Sequence, residues 1–164
     1  MKTNGSIYVA AVFAALIGYF VYQWWFNPNR MVKSKLGDIA AALSIPANEQ
    51  EIDRIARLAR LRALATSDVH VKVGSKGADL TSRDAVLAAI AVLNPAGGWN
   101  VDFVDVDVRV NADDTARAFV TADVATKDPQ TGQQTLDSRD ATLSFVKQNG
   151  EWLVREAEVK DLPR

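Results

Sequence analysis

Twenty consecutive residues near the start of the chain, Ile7 to Phe26 (IYVAAVFAALIGYFVYQWWF), carry no charge, and Gln23 is their only strongly polar side chain. As a helix rising about 1.5 Å per residue, such a run spans roughly 30 Å, the thickness of a bilayer's hydrocarbon core. Tyr8 stands near one end, and Tyr22, Trp24 and Trp25 stand at the other. Aromatic side chains at both edges match the interfacial belts of a spanning helix. Asn27-Pro28-Asn29 then reads as a helix stop, followed by Arg30, Lys33 and Lys35. A cleaved signal peptide would have a shorter apolar core and small residues before the cut, whereas this run ends in Trp24-Trp25-Phe26. The segment therefore reads as a transmembrane anchor. Its orientation is open. The flanking charge (Lys2 and the terminal amine against Arg30, Lys33 and Lys35) favours a cytoplasmic C-terminal domain, and a short N-terminal tail equally suits a signal-anchor that exports it.

The expected organisation is a tail over 1–6, a transmembrane helix over 7–26, a linker over 27–33 and one folded domain over 34–161. About 130 residues after the anchor are enough for a real core. Nineteen basic and twenty acidic side chains nearly cancel, so no whole-protein field invites nucleic acid. Cysteine is absent, which excludes disulfides, thiolate metal sites and a cysteine nucleophile. There is one histidine, His70, and all three tyrosines (Tyr8, Tyr19 and Tyr22) lie in the apolar segment.

Apolar spacing predicts a short helix over Val32 to Ser44, ended by Pro46, and a second over Glu49 to Ala65 with Asn48 and Glu51 as a box-like cap. Ile52, Ile55, Ala56, Ala59 and Ala63 share one face of the second helix. Arg54, Arg57, Arg60 and Arg62 dominate the rest, and read either as a solvated face paired with Glu51 and Asp53 or as a contact for anionic lipid or an acidic partner. Asp68 to Val73 alternates as a strand, with Val69, Val71 and Val73 on one face. Thr81 with Asp84 opens another helix bearing Val86, Leu87, Ile90 and Leu93.

The remaining third reads as antiparallel sheet. Trp99, Val101 and Phe103 alternate, and the phase then slips by one to Val104, Val106, Val108 and Val110, as a β-bulge produces. Strands follow over Thr115 to Thr126, Gln134 to Lys147 and Glu151 to Val159, with Asn149-Gly150 as a two-residue hairpin turn. Helices first and a bent meander afterwards mean an α+β domain with helices packed on one sheet face.

This order, with LTSRDAVLAAIAVL (Leu80 to Leu93), VDFVDVDVRVNADDTARAFVTADV (Val101 to Val124) and NGEWLVREAEV (Asn149 to Val159), resembles the nuclear-transport-factor-2-like superfamily, which includes SnoaL-like and ketosteroid-isomerase-like proteins. The helix opening matches that family with Ser82 in place of a glycine. The resemblance covers about residues 34 to 161 and implies a cone in which a curved sheet wraps helices and can leave a pocket. Membrane-anchored versions resemble Mce-associated proteins and type IV secretion assembly factors, an analogy that implies an extracytoplasmic domain working in a complex.

Fold alone does not choose between enzyme and scaffold. In isomerase and dehydratase members of the superfamily, tyrosine, aspartate and histidine do acid–base work, and no tyrosine here lies beyond the apolar segment. The catalytic candidates reduce to His70 with Asp68 or Asp140, where a solvent-facing histidine on a strand is the competing reading. Asp123, Asp137, Arg139, Asp140 and Arg155 read as a charged outer sheet face or as pocket lining. One histidine and dispersed carboxylates make no metal site, and no phosphate loop or cofactor motif is present. The expectation is a membrane-tethered, non-catalytic binding or scaffold module. It would be held by Ile7 to Phe26 and have a protein partner, a second copy or a small apolar ligand. The alternative is an isomerase- or dehydratase-like enzyme using the cone.

Overall fold

The computed structural model describes residues 4–161, with side chains from Ala10 onward. Helix α1 runs Asn4–Trp25 and is followed almost at once by α2, Pro28–Leu43. Asn27 caps α2 by accepting from Asn29 N at 3.0 Å, and Pro28 takes a first-turn position where its missing N–H costs nothing. The expected linker over 27–33 is thus the start of a helix. Every described residue from Ala10 to Arg30 is exposed, on all faces of α1. Among the described residues, no helix is long and apolar enough to cross a membrane, so the fold does not show the expected transmembrane helix. The side chains of Ile7, Tyr8 and Val9, the first residues of that expected span, lie outside the described ones.

After α2 come α3 (Glu51–Leu64), β1 (Ala65–Val73), β2 (Asp79–Leu80), α4 (Arg83–Ala91) and the strands β3 (Trp99–Val110), β4 (Thr115–Lys127), β5 (Gln134–Gln148) and β6 (Glu151–Val159). The six strands form one sheet in the order β2-β1-β6-β5-β4-β3. All pairings are antiparallel except β1 with β6, which is parallel, so the sheet is mixed rather than purely antiparallel as expected. The cap of α3 also differs. Gln50 stands at the N-cap without a side-chain hydrogen bond, and the expected Asn48–Glu51 box is not the cap. Ser82, one residue after the expected Thr81, caps α4 by accepting from Ala85 N at 3.2 Å.

The sheet curves because β3 and β6 bulge. On β3 the register shifts between Val104 and Asp107, with Asp105 at φ 50°. This turns Trp99, Val101 and Phe103 inward on one side of the bulge and Val106, Val108 and Val110 inward on the other. On β5–β6 the shift falls beside Phe145, leaving Arg155 as the extra residue.

The concave face holds the core. Val32 and Leu36 of α2 share a buried cluster with Phe145, Trp152, Ala116 and Ala118. Lys35 bonds Glu151 at 2.8 Å, placing the early turns of α2 beside the β5–β6 hairpin. The other end of α2 is tied to the start of β3. Ile45 and Trp99 exchange backbone hydrogen bonds, Trp99 Nε1 donates to Leu43 O at 2.7 Å, and Val101 N donates to Ser44 Oγ at 2.9 Å. Gly98 (φ 69°) makes the close passage that this needs, since a Cβ there would lie 2.6 Å from both Ala47 N and Ile45 O. Helix α2 therefore runs from the narrow, filled end of the cone, where α1 joins it, to the wide end about 24 Å away.

Candidate functional site

At the narrow end, Trp152 and Phe145 fill the space under α2. Toward the wide end the same inward positions carry smaller side chains: Ala122 and Val124 on β4, Ala141 on β5, Ala157 and Val159 on β6. Helix α4 flanks this end without plugging it, and none of its residues is fully buried. A cavity of about 510 Å³ results, within the usual range for a small-molecule site. Trp99, Val101 and Phe103 of β3, Val69, Val71 and Val73 of β1, and Val86, Leu87, Ile90 and Leu93 of α4 form much of its wall.

The lining is apolar except at one place. Asp137 and Arg139 continue the inward-facing set Ala141, Leu143 and Phe145 along β5, and both border the cavity. Arg139 Nε donates to Asp137 Oδ2 at 3.0 Å. Their side chains are 39 % and 45 % exposed, respectively for Arg139 and Asp137, so the pair marks where the cavity meets solvent. Of the five charged sheet residues singled out in the sequence, these two line the cavity, and Asp123, Asp140 and Arg155 do not. The signal was available, because positions 137 and 139 have the parity of the apolar run that follows them.

The catalytic candidates are not assembled. His70 Nε2 pairs with Asp79 Oδ1, outside the cavity lining. Asp68 is exposed on β1. Asp140 is on β5, exposed, with Thr121 Oγ1 3.4 Å from its carboxylate. In register, His70 faces Glu156 of β6, so an intervening strand separates it from β5.

The arginines of α3 also separate. Arg57 is buried, with its side chain 3 % exposed. It donates through Nε to Glu49 Oε1 at 2.6 Å and through Nη2 to Oε2 at 3.1 Å. The Arg57 hydrogen bond, opposed by burial and aided by the charges of Arg57 and Arg54, holds the Glu49 carboxyl below its ordinary range. Arg54 reaches the same carboxylate at 3.5 Å. Arg60 is exposed, and Arg62 lies 3.6 Å from Asp84. Arg57 therefore leaves the expected surface group, and its role in the structure is to close the α2–α3 loop. A more open groove of about 560 Å³ runs past this loop, Gly97-Gly98 and Lys127, with mixed polar lining. Among the described residues, no group of three His, Asp or Glu could hold a metal ion.

The architecture is thus an α+β cone with helices on a curved mixed sheet and an apolar hollow at its wide end. A family model described as a SnoaL-like domain matches residues 50–155, and the chain belongs to that family. Solved structures show the same fold. An NTF2-like protein with a cystatin-like fold from Novosphingobium aromaticivorans superposes with a TM-score of 0.69 at 15 % identity, covering 87 % of this chain and 88 % of that one. A protein provisionally named a scytalone dehydratase, from the same organism, gives 0.63 at 14 % identity, with coverage of 82 % and 83 %. ActVI-ORFA from Streptomyces coelicolor gives 0.64 at 16 % identity, with coverage of 79 % and 93 %. No curated protein matches the chain.

Proposed function

We propose that this chain is a membrane-tethered binding module that holds a small apolar molecule in its cone. The observation that carries the reading is the 510 Å³ hollow, whose wall is apolar apart from the Asp137–Arg139 pair. Water in such a space finds few hydrogen-bond partners, so an apolar occupant is favoured over solvent. The dehydratase name of one structural relative raises an enzymatic reading, but His70, the sole histidine, lies outside the hollow with Asp79.

The tether is α1. A helix that is apolar on every face needs an apolar surrounding, and each of its described side chains is exposed, including Phe13, Ile17, Phe20 and Trp25. Ile7 to Val9 complete the twenty uncharged residues that a span requires. At the α1–α2 junction the Arg30 guanidinium stacks 4.4 Å from the Trp24 ring, a pairing suited to the headgroup layer. The family analogy favours an extracytoplasmic domain and the flanking charge a cytoplasmic one, and a protein partner or second copy would use the groove beside Arg60 and Lys127.

The test is photolabelling of the full chain in mild detergent with a diazirine-bearing hexadecane, followed by peptide mapping. The reading expects label on β3 around Val101 and Phe103 and on α4, and loss of that label in Ala122→Trp, which fills the hollow. Label confined to α1 would sink it. Resistance of the membrane-bound chain to alkaline carbonate extraction is the matching expectation for the tether.

A further inference from the structure

Resting on the binding reading above, we infer that the occupant of the cone is a neutral amphipath: an apolar body carrying one hydroxyl-type head, seated at the Asp137–Arg139 pair. Three observations lead there. Among the described residues, the pair is the sole charged part of the lining; it borders the hollow mostly through carbon atoms with its charged ends at the mouth, so only one end of a ligand can meet it. The pair is also incompletely used. Arg139 gives Nε to Asp137 Oδ2, and among the described residues its Nη donors have no acceptor, while Asp137 Oδ1 accepts from none. Exposed at the mouth and, among the described residues, not bonded to protein, these donors and this acceptor on residues two apart on one strand face complement a group that both accepts and donates, as a hydroxyl does.

The charges around the guanidinium decide against an acid. Asp137 is bonded to it, with Arg139 Nε 3.0 Å from Asp137 Oδ2, so its charge is already paired. One cation bonded to one carboxylate leaves the pair neutral. A carboxylate head would compete with Asp137 for the guanidinium, and an ammonium head would compete with Arg139 for the carboxylate. A neutral head avoids both costs and still receives charge-assisted hydrogen bonds.

The experiment compares three photolabels of one chain length on the full-length chain: diazirine-bearing hexadecanol, hexadecanoic acid and hexadecane. The hexadecanol probe is expected to label the cavity wall at about fivefold lower concentration than either of the others. Arg139→Met combined with Asp137→Leu should remove that preference, leaving alcohol and alkane equal while cavity labelling persists. Asp137→Asn should improve the acid more than the alcohol, since it removes the carboxylate that competes with the acid for Arg139. Equal labelling by alcohol and alkane in the unmodified chain overturns this inference and leaves the apolar-binding reading standing, as does an acid that labels best. Failure of all three probes to reach β3 or α4 overturns both.

Discussion

At the residue scale, the Arg57–Glu49 pair is the interaction whose position gives it most weight. Both side chains are 3 % exposed, and the contact is two-pronged. A buried pair adds modest net stability, but removing one member strands the other without solvent. Arg57→Ala is expected to lower unfolding free energy by about 2 kcal/mol, measured by urea denaturation. The pH dependence follows from the sign of the shift. Glu49 titrates lower in the folded chain than its ordinary 4.5. Its contribution is therefore fully present above the unfolded value and disappears as pH falls through the folded one. The penalty for Glu49→Gln should accordingly be largest near neutrality and shrink in acid. A penalty that stays constant from neutral pH into strong acid would contradict the assignment.

At the element scale, β3 shows how far local pattern carries. The slip from Phe103 to the later valines was legible because the bulge leaves each half of the strand with its own clean alternation. The Asn149-Gly150 turn was legible for a similar reason: both residues adopt positive φ, 51° and 81°, which that dipeptide tolerates. The parallel pairing of β1 with β6 and the two-residue β2 were not legible, because a strand's local alternation does not name its neighbour. Burial of Arg57 was hidden too. Its partner lies before the helix, outside the spacing at which helical neighbours meet. Asn27-Pro28 was read as a stop because proline ends helices, yet the same pair is also a start signal, and here it starts α2. The cavity pair was half legible: Asp137 and Arg139 were candidates for lining, but charge alone argued for the outer face. The bulge gives the prediction at this scale. Asp105 at φ 50° occupies a conformation that costs a β-branched residue about 1–2 kcal/mol. Asp105→Val should lower the melting temperature, and Asp105→Gly should leave it unchanged or raise it. The opposite order would mean that the Asp105 side chain, rather than the backbone, holds the bulge.

At the scale of the whole molecule, the exposure of α1 argues that the cone is stable without it. The described side chains of α1 are exposed, while the core begins at Val32. Removing residues 1–26 is expected to leave the melting temperature of the remaining chain within a few degrees of the full-length value, read by circular dichroism. Carbonate-resistant membrane association should vanish in the same variant. A large drop in melting temperature would show that α1 supports the fold.

One consequence of the α2 geometry concerns traffic. The stem leaves the narrow pole, and the hollow opens at the opposite pole, about 24 Å further along α2. On the proposed reading, cargo would exchange on the side away from the point of attachment. If α1 is the tether proposed above, a chain held by its stem would be loaded and emptied without letting go, and whatever hands cargo over would approach the far rim near Asp137 and Arg139.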